Sequence, residues 1–148
     1  MLVPGPINGV PATDAVGEPL TITATVLEPG CAPAAGAVAE VWHTDATGLY
    51  GRGSGNDECC YYGGTVTADA NGRFRLDTIR PAQYPQAGAP PAHIHLTFRH
   101  PSGGLGTEIV FDAGAPPSGR ISPATVIPVE LTRSGDGWTG STAFVLEP

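Results

Sequence analysis

The chain has 148 residues, of which 41% are hydrophobic and 14% are charged, and its formal net charge is -7 at pH 7. This length and apolar content support one folded domain with a hydrophobic core, and they exclude a disordered tail or a coiled coil. The seven basic residues are all arginines scattered singly along the chain, so we expect neither nucleic acid nor an anionic membrane as a partner.

Glycine and proline divide the chain into short apolar segments, with 21 Gly and 16 Pro in total. The composition of residues 1–19 predicts an extended, Pro/Gly-rich lead-in without a clear pattern. After it, alternating or apolar segments rich in β-formers predict strands at 20–28, 37–42, 64–68, 73–77, 93–98, 108–111, 126–132 and 142–146. About eight short strands joined by Pro/Gly-rich loops are typical of a β-sandwich. We therefore predict an all-β fold with a single domain over residues 1–148.

Turn-forming residues separate several of these strands. They lie at 69–72, 103–106 and 134–137. The first turn, Asp-Ala-Asn-Gly, is flanked by two alternating segments, which we expect to form a pair of strands around it.

The sequence gives weak evidence on location and on thiol chemistry. No apolar segment reaches the length of a membrane span, and the N-terminus lacks the basic start and apolar core of a signal peptide, so we expect a cytoplasmic protein. Cys31, Cys59 and Cys60 form a poor disulfide framework because two of them are adjacent. We expect reduced thiols, with one bridge from Cys31 to Cys59 or to Cys60 as the alternative.

Two histidines open the fifth predicted strand and are separated by one residue. Residues i and i+2 of a strand point to the same face, so His93 and His95 would direct their rings to one point, as a metal site requires. Two surface or core histidines would show the same spacing. His43 or His100 could add a third imidazole to form a zinc site, although His100 would face the opposite side of a continued strand.

Tyrosine is a second candidate ligand type. Tyr50 and Tyr84 fall in the two predicted loops that flank the strand pair. Loops of this kind carry the function in many sandwich proteins. A tyrosine normally titrates near 10, but a trivalent cation can hold it as a phenolate. Two phenolates and two imidazoles would form an Fe(III) site with room for a substrate. In the alternative interpretation, both rings anchor their loops by packing on the sandwich.

Four segments together carry a resemblance to a known family. They are Trp42–Tyr50 (Trp-His-Thr-Asp-Ala-Thr-Gly-Leu-Tyr), Asp69–Phe74 (Asp-Ala-Asn-Gly-Arg-Phe), Thr78–Pro85 (Thr-Ile-Arg-Pro-Ala-Gln-Tyr-Pro) and Pro91–His95 (Pro-Ala-His-Ile-His). In this order they resemble successive motifs of the intradiol ring-cleavage dioxygenases. The similarity extends over roughly residues 18–147 and concerns the catalytic sandwich, without the helical N-terminal dimerisation region of the catechol dioxygenases.

The resemblance implies a non-haem Fe(III) enzyme. Its iron ligands would be Tyr50, Tyr84, His93 and His95, and both tyrosines would be catalytic, with Tyr84 matching the tyrosinate that accepts a proton from the substrate. Its small-molecule partners would be O2 and a catechol-like substrate, which is cleaved to a muconate-type diacid. A homo-oligomer is compatible with this assignment.

Two positions depart from the family pattern. Pro90 stands where the family normally has an arginine, three residues before the first histidine, and Glu108 stands where many members have glutamine. Arg52, Arg80 or Arg99 could supply the missing positive charge. The departures favour, as alternatives, an unusual catecholic substrate or redirected chemistry on the same iron site.

A segment of cysteines and tyrosines completes the set of pocket candidates. Asp57–Tyr62 falls where members of the family vary and shape the substrate pocket, so Tyr61 and Tyr62 join Arg52, Arg80, Pro90 and Glu108 as candidate pocket residues. These rings could equally fill space under a loop. A non-enzymatic, transthyretin-like binding module would share the Asp-x-Asn-Gly turn, but it would lack the His-Ile-His strand.

Overall fold

A computed structural model of the chain describes residues 17–43, 63–81, 92–111 and 126–148. Within these ranges the chain forms nine β-strands and no helix. The strands are β1 (Pro19–Leu27), β2 (Val38–His43), β3 (Gly63–Thr67), β4 (Arg73–Ile79), β5 (His93–His100), β6 (Gly103–Val110), β7 (Val126–Pro128), β8 (Thr132–Ser134) and β9 (Gly137–Val145).

The strands form two sheets, as expected for the predicted β-sandwich. The four-stranded sheet has the order β4-β1-β9-β8, and the five-stranded sheet has the order β3-β2-β5-β6-β7. Neighbours are antiparallel except for β1 with β9 and β6 with β7, which are parallel. The prediction of an all-β sandwich is confirmed.

The core lies between the two sheets and follows from the period-2 alternation of the strands. On the four-stranded sheet, β1 buries Leu20, Ile22, Ala24 and Val26. The five-stranded sheet contributes Val41, Leu96 and Phe98. The Phe98 ring joins the sheets directly, because its centroid lies 4.7 Å from that of Phe144 in β9 and 5.9 Å from that of Phe74 in β4.

The predicted turn at 69–72 is confirmed, but the strands around it do not pair. The Gly72 amide donates to the Asp69 carbonyl over 3.0 Å, and Gly72 has φ +73°. However, β3 pairs with β2 and β4 pairs with β1. The turn therefore carries the chain from one sheet to the other. As a result, Val66 on the five-stranded sheet and Phe74 on the four-stranded sheet are both buried in the core between the sheets.

The glycines at 103–106 form part of β6 instead of the predicted turn, and the chain reverses at residues 101–102. At Gly103 the absence of a side chain permits a close approach, because a Cβ there would lie 2.0 Å from the Glu147 carbonyl oxygen. Beside it, the backbones of Gly104 and Glu147 exchange two hydrogen bonds of 2.9 Å. The C-terminal segment is thereby fastened to the five-stranded sheet.

The strand predicted at 126–132 is interrupted. Residues 126–128 form β7 at the edge of the five-stranded sheet, and residues 132–134 form β8 at the edge of the four-stranded sheet. The chain crosses between the sheets at Val129, which is buried. The turn predicted at 134–137 is confirmed, with Gly135 at φ +61° and Ser134 paired with Gly137.

Replacement of Gly72 by alanine should destabilise the fold through two separate effects. A left-handed conformation costs an L-residue roughly 1–2 kcal/mol, and a Cβ at Gly72 would also lie 2.4 Å from the Val26 carbonyl oxygen. Gly36 is a matched control, because it has φ +74° and a Cβ added there would meet no described atom within 4 Å beyond its chain neighbours. We expect Gly36→Ala to cost about 1–2 kcal/mol and Gly72→Ala clearly more in urea unfolding. Equal costs would show that the backbone shifts to relieve the contact.

Candidate metal centre

The two histidines lie on the outer face of the five-stranded sheet, away from the core. Along β5, Ile94 and Leu96 are buried in the core, and His93 and His95 alternate with them. Successive side chains of a strand point to opposite faces, so both rings lie on the side turned away from the four-stranded sheet.

The imidazole rings of His93 and His95 converge, as the i, i+2 spacing predicts. Their Nε2 atoms are 3.1 Å apart, and the ring planes meet at 82° with centroids 4.6 Å apart. Two imidazole nitrogens that each lie about 2.1 Å from one ion are separated by about 3 Å when they are neighbouring ligands. The spacing therefore fits a single metal ion held by both Nε2 atoms.

Three strands bring three side chains into one row around His95. In the antiparallel register, Trp42 of β2 and Glu108 of β6 stand directly opposite His95 on its two sides. Directly opposite residues of an antiparallel sheet share a face. Trp42, His95 and Glu108 therefore lie side by side on the outer face of the five-stranded sheet.

Glu108 holds the far side of the His95 ring. Its Oε1 lies 2.9 Å from His95 Nδ1, and a carboxylate only accepts hydrogen bonds, so Nδ1 carries the proton in the neutral ring. His93, His95 and Glu108 together place three potential ligand atoms within 4.8 Å of one another. Because Glu108 contacts Nδ1, it lies beside the nitrogen of His95 that does not face His93.

The carboxyl of Glu108 is held in its charged form. Burial raises its pKa, but the hydrogen bond from His95 and the electrostatic interactions with His95 and His93 outweigh burial and leave the pKa below its ordinary value. Its second oxygen, Oε2, is buried and has no hydrogen-bond partner among the described residues. Among the described residues, the carboxylate is thus paired with His95 through Oε1 alone.

Trp42 packs on the face of the His95 ring, outside the core between the sheets. The two rings are stacked, with centroids 5.0 Å apart and an interplanar angle of 10°. Its neighbours in β2, Val41 and His43, are the residues that face the core. The sequence marks Trp42 as aromatic but carries no signal that it meets His95, since their contact depends on the pairing of β2 with β5.

Neither candidate for a third histidine joins the pair. His43 points into the core, where its Nε2 lies 2.8 Å from Thr78 Oγ1 on the other sheet. His100 faces the opposite side from His95, as predicted, and its Nδ1 and Nε2 hydrogen-bond with Ser102 Oγ (2.7 Å) and the Ala35 carbonyl (3.1 Å). The trihistidine zinc alternative therefore lacks its third ligand.

Two of the arginines proposed to replace the missing family arginine have partners elsewhere. The Arg80 guanidinium lies over Trp138, 4.6 Å from the ring centroid. Arg99 is exposed and forms an ion pair of 3.0 Å with Glu40. The role of Arg80 in a substrate pocket stays a prediction.

Several predicted residues lie outside the described ranges, and their roles stay predictions. They are Tyr50, Arg52, Cys59, Cys60, Tyr61, Tyr62, Tyr84 and Pro90. Cys31 is a free, exposed cysteine. No helix in the described part of the chain is long and apolar enough to cross a membrane.

Comparison with known proteins identifies the family of the chain. A family model described as "Dioxygenase" matches residues 7–116. The protocatechuate 3,4-dioxygenase beta chain of Burkholderia cepacia is 32% identical over 100 residues, which cover 62% of this chain and 43% of that protein. Chlorocatechol 1,2-dioxygenase of Pseudomonas sp. (strain P51) is 34% identical over 113 residues, covering 66% of this chain and 45% of the relative. The chain thus spans less than half the length of these two relatives.

A solved structure agrees with the sequence relatives. The dioxygenase domain of a dioxygenase carbohydrate-binding protein fusion from Streptomyces sp. SirexAA-E superposes with a TM-score of 0.72 and 28% identity, covering 92% of this chain and 84% of that one. The fold of the solved structure and the sequence relatives therefore point to the same family. The chain belongs to the intradiol ring-cleavage dioxygenase family.

Proposed function

We propose that this protein is a non-haem Fe(III) dioxygenase that cleaves a catechol-like ring between its two hydroxyl-bearing carbons. Both atoms of O2 enter the product, a muconate-type diacid, so no further reductant is needed. The observation that carries the proposal is the 3.1 Å approach of the His93 and His95 Nε2 atoms, in a chain that belongs to the intradiol family. The names of the relatives indicate catecholic substrates.

In this proposal His93 and His95 hold the iron through Nε2, and Tyr50 and Tyr84 supply two phenolate oxygens. When bound, a ferric ion supplies Lewis acidity that makes the chelated catechol susceptible to O2. The described residues fit this role, because the two Nε2 atoms lie 3.1 Å apart and Glu108 keeps the remaining proton of His95 on Nδ1.

The protein residues then have distinct tasks. The phenolate oxygen of Tyr84 accepts a proton from a catechol hydroxyl as the substrate binds. Trp42 covers one face of the His95 ring and limits the access of water to it. His93 is itself buried, so its imidazole keeps its orientation when substrate and product exchange.

A second candidate is redirected chemistry on the same face, and one observation favours it. Two histidines and a carboxylate, here His93, His95 and Glu108, are the ligand set of many non-haem Fe(II) oxygenases. The bond from Glu108 to His95 Nδ1 argues against that set, because the carboxylate would have to leave Nδ1 to reach an ion at Nε2.

Iron loading and product analysis test the proposal. Protein loaded with one iron per chain should be red from tyrosinate-to-Fe(III) charge transfer, and a panel of catechols should consume O2 and yield products heavier by one O2. Tyr84→Phe should shift the visible band. Colourless iron-loaded protein would contradict the ferric tyrosinate site. Red protein that cleaves no catechol in the panel would favour redirected chemistry.

A further inference from the structure

We propose that Glu108 is a positioning residue that fixes the proton of His95 on Nδ1 and makes the site favour ferric over ferrous iron. The proposal rests on the iron site proposed above and concerns a residue that is not itself assigned as a ligand. The carboxylate of Glu108 would thus control the oxidation state of the bound metal.

The contact that carries the proposal is direct and built into the sheet. Glu108 Oε1 and His95 Nδ1 are 2.9 Å apart, and both side chains are largely buried, at 17% and 21% exposure. The two residues stand opposite each other in the β5–β6 register. Because backbone pairing of the two strands sets this register, the contact between the carboxylate and Nδ1 does not depend on the conformation of a loop.

A proton fixed on Nδ1 decides which nitrogen can bind metal. A neutral imidazole carries its proton on one nitrogen and a lone pair on the other, and only the lone pair binds a metal. With the Nδ1 proton donated to Glu108, the His95 lone pair is on Nε2, the atom that faces His93. Trp42 is stacked on the His95 ring and restrains its rotation.

The negative charge has a second consequence that an amide at this position would not have. A carboxylate that accepts the second ring proton makes the imidazole a stronger electron donor. Oε2 of Glu108 has no hydrogen-bond partner among the described residues, so no donor in the described part of the chain disperses the charge. A nearby anion stabilises the ion of higher charge, and the reduction potential of the bound iron should therefore be lowered.

Replacement of Glu108 by glutamine isolates the charge, because the amide oxygen can still accept from Nδ1. We expect E108Q to retain iron and to raise the Fe(III)/Fe(II) midpoint potential, by about 59 mV for each tenfold loss of preference for ferric iron. The visible charge-transfer band should move with the potential. E108A, which also removes the acceptor, should weaken iron binding by roughly 10–100-fold.

Glu40→Gln is the matched control. Glu40 lies on the same face of the same sheet, two residues before Trp42, but its carboxylate pairs with Arg99. We expect its iron affinity, potential and visible band to match those of the unsubstituted protein. This comparison separates the local effect of Glu108 from a general change in protein charge.

Each other result would overturn the inference. An unchanged potential and band in E108Q would show that the ion pair has only a structural role. Loss of iron from folded E108Q would show that Glu108 is a metal ligand. If the unsubstituted protein binds no iron, the iron site itself is wrong, and zinc binding measured by calorimetry tests the positioning role: weaker binding by E108A supports it, and equal binding overturns it.

Discussion

His95→Ala should abolish iron binding, whereas His100→Ala should leave it intact. The two residues lie on the same strand and have the same chemistry, but only the His95 Nε2 faces His93, at 3.1 Å. Removal of a residue that merely supports a ligand costs about 10–100-fold in metal affinity. Loss of the ligand itself should therefore exceed about 100-fold and should remove both the red colour and the ring cleavage proposed above.

His100 is a demanding control because it has structural contacts of its own. Its replacement removes hydrogen bonds to Ser102 and to the Ala35 carbonyl, so we expect a loss of about 1 kcal/mol in stability for each bond without a change in iron content. Iron per chain, measured by metal analysis after gel filtration, decides the comparison. Full iron content in folded His95→Ala would show that the ion is held elsewhere.

Phe98→Ala should lower the free energy of unfolding by about 3–5 kcal/mol, the largest loss of stability that we predict for a single residue. Phe98 is only 2% exposed, and its ring packs against Phe74 and Phe144 of the other sheet. Truncation removes the apolar contact and leaves a cavity at the junction of the two sheets. Urea unfolding of metal-free protein measures the effect without a contribution from ion binding.

Val145→Ala provides the comparison for this stability measurement. Val145 is 47% exposed in β9, next to Phe144 in the chain. Exposed substitutions usually change stability by about 0.5 kcal/mol or less. A loss below about 1 kcal/mol for Phe98→Ala would mean that the surrounding core collapses onto the vacated space.

Local patterns were sufficient to predict most of the strands and the orientation of the two histidines. The relation between His93 and His95 depends only on the period of a strand, and the opposite orientation of His100 follows from the same period. Turn chemistry likewise located the Gly72 and Gly135 turns, because both positions require a left-handed backbone.

Pairing between distant strands was beyond the local patterns. The Asp69–Gly72 turn has the composition of a hairpin turn, but β3 and β4 enter different sheets because each finds its partner elsewhere in the chain. The glycines at 103–106 were also misassigned, since the close approach of Glu147 that requires one of them involves a segment about forty residues away.

The sequence by itself therefore determined a β-sandwich with a pair of converging imidazoles. Both features follow from the two-residue period with which the side chains of a strand alternate between its faces. Only the tertiary structure decided what surrounds His95. Trp42 and Glu108 reach it through the pairing of β2, β5 and β6, and a one-residue slip in either register would turn them to the other face. The paired histidines are a local property, while the control that we propose for their metal is a property of the assembled sheet.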